Sequence, residues 1–73
     1  MNDKDKNAIA VDKIRMAIDE LDGEQHREQA ARIEGRIKGF LELSFATKII
    51  SPEENEKLWK EFAAVREKIF ERF

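Results

Sequence analysis

His26 is the single imidazole of the chain, and Asp22 stands four residues before it, the spacing of two metal ligands on one helix face. Zinc needs at least three protein ligands, and a second histidine and any cysteine are missing. The expectation is therefore a solvated histidine near a helix start. Asp19, Glu20, Asp22, Gly23 and Glu24 have the composition of a calcium loop. With Gly23 in the sixth position, the first ligand position falls on Ile18 and the closing glutamate position on Gln29, so the pattern fails at both ends. The 16 acidic residues are interleaved with Lys and Arg at helical spacing, which marks wet helix faces rather than a general acid–base pair. A glycine-rich phosphate loop, a nucleophile elbow and a Cys–His couple are all lacking. The chain reads as a non-enzyme with no cofactor and no metal.

Arg27, Arg32, Arg36 and Lys38 suggest a second chemistry, contact with nucleic acid, with Gln25 and Gln29 available to read base edges. Glu28 and Glu34 stand four residues before Arg32 and Lys38, however, and internal pairing accounts for these charges equally well. A nucleic-acid-associated regulator is the alternative reading. The main one concerns apolar side chains, and the elements that carry them follow from composition and periodicity.

The chain has 73 residues, enough for one domain. The absence of cysteine excludes a disulfide scaffold and a thiol nucleophile. The 21 large apolar residues between Ile9 and Phe73 argue against disorder. A net charge of -2 supplies no global field toward DNA or an anionic membrane. The longest apolar stretch, residues 40–50, is broken by Glu42 and Lys48 and is far short of the ~20 residues of a membrane helix. The first six residues lack the apolar core of a signal peptide, so a cytoplasmic protein is expected.

The fold class expected is all-α: a long antiparallel hairpin plus an N-terminal helix, a three-helix unit assembling as a dimer. Residues 1–6, polar and without periodicity, read as a flexible tail, and residues 7–73 as one helical domain. Helix one, about 7–22, carries Val11, Ile14, Ile18 and Leu21 along one seam. Gly23 then reads as a left-handed C-cap. The phase of the next apolar stripe supports a break there, pointing more than about 90° away from the first. Helix two, about 24–49, carries Ala30, Ile33, Ile37, Phe40 and Leu41, then becomes apolar over most of its circumference. Helix three, about 52–72, opens with Ser51-Pro52-Glu53-Glu54, a capping box with proline in the first helical position. On it, Glu53–Lys57 and Glu56–Lys60 have ion-pair spacing.

So short a turn folds helix three back on helix two. Residues whose numbers add to about 102 or 103 then face each other, and Phe45–Leu58, Leu41–Phe62, Ile37–Val65, Ile33–Ile69 and Ala30–Phe73 are apolar on both sides.

Two apolar features exceed what one hairpin covers. Gly35, Gly39, Leu43, Ala46 and Ile50 form a second seam on helix two, open to helix one or to a second subunit. Trp59, Phe70 and Phe73 lie toward the edge of helix three, where aromatic anchors dominate interface energy. These eight residues are the candidate partner or dimer interface. The expectation is a small regulator, adaptor or inhibitor of bacterial or phage accessory type. It would bind itself and an unidentified protein through helical faces, with nucleic acid the lesser possibility and no membrane contact.

Overall fold

The computed structural model describes residues 2–73, and over them the chain forms three helices. These are α1 (Asp3–Asp22), α2 (Arg27–Ala46) and α3 (Pro52–Arg72). The all-α architecture and the start of α3 are as expected. The tail is not: residues 3–6 belong to α1, and residue 1 lies outside the described residues. The Asn2 side chain accepts the Asp5 N–H at 2.8 Å, and Asp3 and Asp5 lie in the first turn, where negative charge favours the helix dipole. Capping thus extends the helix over residues that bury nothing. The second helix is shorter than expected at both ends.

Ion pairs fix the helix directions. Arg15 meets Glu61 and Asp22 meets Lys68, each pair 46 residues apart, so α1 and α3 run parallel. Glu34 meets Arg66 at 3.0 Å and Glu20 meets Arg36 at 2.8 Å, which ties α2 to both, and the short turns before and after it set it antiparallel to them. The result is an up-down-up bundle with extents of 40 × 20 × 16 Å.

Its core takes Ile14 and Leu21 from α1, Ile37 and Leu41 from α2, Leu58 and Phe62 from α3, and Ile50 from the turn, each at most 2% exposed. Ala17 and Ala30 are buried beside them. The expected hairpin register is close: Leu41, Phe62, Ile33 and Ile69 are buried and Val65 packs against the core. Phe45 and Phe73 instead remain 45% and 43% exposed. The buried stripe of α2 is Ala30, Ile33, Ile37, Leu41 and Ser44. Phe40 and Phe45 are each one position off that stripe, about 100° around the helix, and emerge at its edges. Phe70 stands in the same relation to buried Ile69.

The two turns reverse the expected roles of their residues. Gly23 does end α1, but at φ -89°, well away from the left-handed region. The residue at positive φ is Lys48, at 61°. There the Ile49 N–H donates to the Ser44 carbonyl at 2.9 Å and the Lys48 N–H to the Phe45 carbonyl at 3.0 Å, a Schellman closure of α2 with lysine in glycine's place. A β-carbon in that conformation costs about 1–2 kcal/mol. Lys48→Gly is therefore expected to stabilise the fold by about 1 kcal/mol. A Cβ on Gly23 would meet nothing nearer than 3.9 Å, so Gly23→Ala should add about 0.4–1 kcal/mol by narrowing the unfolded ensemble. Urea midpoints at unchanged m-value check both.

Candidate functional site

At one end of the bundle, a clasp joins the start of α1 to the α2–α3 turn. The Asn7 side-chain amide donates to the Ile49 carbonyl and to the Glu54 carboxylate, both at 2.9 Å. The same carboxylate accepts the Ser51 N–H at 2.9 Å, while the Ser51 hydroxyl accepts the Glu54 N–H at 3.1 Å, completing the capping box. The Ser51 backbone first, and Asn7 second, hold the Glu54 carboxyl below the usual glutamate range. That is the direction of a structural acceptor, not of a proton donor. The hydrogen bond to Glu61 first, and the charge of Glu61 second, hold Arg15 above its already high value.

The sign of Glu54's shift fixes its pH dependence. Its contribution is complete at pH values above the ordinary glutamate pKa of about 4.3 and is lost as pH falls through the lowered folded value. Glu54→Gln keeps an oxygen acceptor but cannot titrate. The stability gap between wild type and this variant should shrink from pH 7 to pH 3, as read by urea unfolding at both.

At the opposite end, cations gather around the C-terminus of α1. Arg72 donates to the carbonyls of Asp22 and Glu24 at 3.0 and 3.2 Å, Lys68 pairs with Asp22 at 2.9 Å, and Arg36 pairs with Glu20. Two carboxylates of the acidic cluster that resembled calcium-loop composition, Glu20 and Asp22, are thus paired by cations of α2 and α3. Among the described residues no three His, Cys, Asp or Glu side chains group as metal ligands. His26, exposed at the α2 N-cap, makes no side-chain capping bond; the Glu24 carboxylate takes the N–H groups of Gln25 and His26 instead. Of the expected helix-surface pairs, Glu56–Lys60 forms at 3.2 Å, whereas Glu34 is drawn across to Arg66.

The candidate interface residues separate into three places. Ile50 is 2% exposed and belongs to the core, a correction to its expected place on an interface: its N–H is turned inward to the Ser44 carbonyl at 3.2 Å. Gly35, Gly39, Leu43 and Ala46 lie exposed on α2. Nothing stands within 4 Å of a Cβ built on either glycine, so α1 does not occupy that seam. Beside it, Met16 and Phe40 line a shallow groove of about 530 Å³ between α1 and α2, rimmed by Lys13, Glu20 and Arg36. Leu43 and Met16 are 64% and 63% exposed, and Ile9 lies two turns before Met16 on the same side.

The third place is a groove of about 610 Å³ between α2 and α3. Ala30, Ala31 and Ala63 line it, Phe70 and Phe73 border it, and Arg27, Glu34, Arg66 and Glu67 supply its charges. Phe70 is 84% exposed. Trp59 is half-buried, its ring 5.7 Å from that of Phe62, so it serves the core as much as the surface.

The four basic residues do not form one face. Arg32 and Arg36 share a side of α2, with Arg36 held by Glu20. Arg27 and Lys38, three turns apart, fall on the other side. Among the described residues no helix is long and apolar enough to cross a membrane. Comparison with protein-family models, curated proteins and solved structures finds no match for this chain.

Asn7 at one end of the bundle, Lys68 and Arg72 at the other, and Arg15 and Glu61 between them join α1 to the rest and are absent from the sequence-based candidates. One signal was present for Asn7. It precedes Ile14 and Leu21 at seven-residue spacing, a polar side chain in line with the seam.

Proposed function

We propose that this chain is a non-catalytic protein-binding module, a small regulator, adaptor or inhibitor that works through its helical faces. The observation that carries the reading is the apolar surface left outside a closed core. Ile9, Met16, Phe40, Leu43, Phe45, Phe70 and Phe73 are all at least 36% exposed. Single exposed apolar residues are ordinary, but Met16 and Phe40 share one groove beside α2 and Phe70 and Phe73 border the other, and clustered apolar surface marks interaction sites. Burying it gains roughly 25 cal/mol per Å². The α1/α2 edge, with Met16, Phe40 and Leu43 beside the smooth ground of Gly35 and Gly39, is the surface offered to a protein partner.

Affinity capture from the source cells tests this, comparing the wild type with the Met16→Glu/Leu43→Glu variant. Both positions are exposed, so helical content should not change. The wild type is expected to retain a protein that survives nuclease treatment and that the variant fails to retain. Identical captures by both chains would defeat the proposal. Material that disappears with nuclease, and with charge reversal at Arg32 and Arg36, would favour nucleic acid instead.

A further inference from the structure

We infer that the α2/α3 groove is where two copies of this chain meet, antiparallel, about a twofold axis at the level of Phe70. The inference rests on reading the exposed helical faces as binding surfaces, and it names the occupant of one of them.

The Glu34–Arg66 pair sets the levels along the groove: facing residues of α2 and α3 have numbers adding to about 100. Arg27 and Phe73 then mark one end, Glu34, Arg66 and Glu67 the other, with Phe70 and the pair Ala30–Ala31 between them. Arg27 and Glu67 have no ion-pair partner among the described residues, while Arg66 is already engaged by Glu34. One end is therefore cationic and the other, about 10 Å away by helical rise, net anionic.

Turned end for end, this pattern is its own complement. A twofold axis across the groove at residue 30 to 31 places Arg27 opposite Glu34 of the second copy, twice over. It also places Arg66 opposite the second copy's Phe73 and brings the two Phe70 side chains together near the axis. A twofold axis along the groove would instead bring the two Arg27 ends to one level and the two Glu67 ends to the other, setting Arg27 against the second copy's Phe73 and leaving its charge unpaired. Shape agrees with charge, because the same surface carries both a projecting ring, Phe70, and a floor of alanines that leaves room for one. Self-complementary patches of this kind are what a twofold interface requires.

Sedimentation equilibrium up to about 100 µM tests the inference. The wild type should move from 8.6 kDa toward twice that mass as concentration rises. Phe70→Glu, at a site 84% exposed and so not needed for folding, should weaken self-association at least ~100-fold. Arg27→Glu and Glu34→Arg should each weaken it by about tenfold, because each sets like charges against one another. An equimolar mixture of these two variants should regain the dimer, since both contacts in the mixed pair then join opposite charges. A monomer throughout, a dimer indifferent to Phe70→Glu, or a mixture no tighter than its components would each overturn the inference. Such a failure leaves capture through Met16 and Leu43 standing. Loss of that capture with the dimer intact would sink the functional proposal alone.

Discussion

Phe62→Ala is expected to lower the free energy of unfolding by about 3–5 kcal/mol. Phe62 is 1% exposed, contributes the largest fully buried side chain, and also supports the Trp59 ring at 5.7 Å. Its neighbours come from rods stiffened by their own hydrogen bonds, so the cavity would relax only in part. A domain of this size commonly has only about 5 kcal/mol in hand. The variant should therefore show a greatly lowered urea midpoint, or be substantially unfolded at 25 °C, by circular dichroism.

Ile50→Ala carries the second large effect, about 2–5 kcal/mol. Ile50 lies outside any helix, yet it is as buried as the helix core, because the Schellman closure turns the chain inward. The Asn7 amide secures the adjacent Ile49 carbonyl. Leu43→Ala is the control. Leu43 belongs to the same expected seam but is 64% exposed, and its truncation should change stability by no more than about 0.5 kcal/mol. Equal losses at the two positions would contradict the burial pattern.

What could be read from the sequence was what local chemistry decides. The capping box at Ser51 and Glu54 needs only neighbours within three residues, and it fixed the start of α3 to the residue. The stripes of α2 and α3 gave the hairpin for the same reason. The break after Asp22 was also legible from phase, although its geometry was not: Gly23 suits a left-handed turn but is not required to make one. What escaped detection was the placement of α1. It is held by Asn7 to Glu54, Arg15 to Glu61 and Arg72 to Asp22, links of 46 to 50 residues that no periodicity announces. The acidic cluster at the end of α1 was unexplained for the same reason, since its cations arrive from the other two helices. Surface aromatics were partly legible. Phe70 stood out at an edge, whereas Phe40 and Phe45 looked like core until one step of helical phase separated them from Leu41 and Ser44.

An odd number of rods has a geometric result that an even number lacks. Asn2 and Phe73 emerge from opposite poles of a body 40 Å long. Cargo fused before the first and after the second would be held apart by a strut instead of being gathered at one hub.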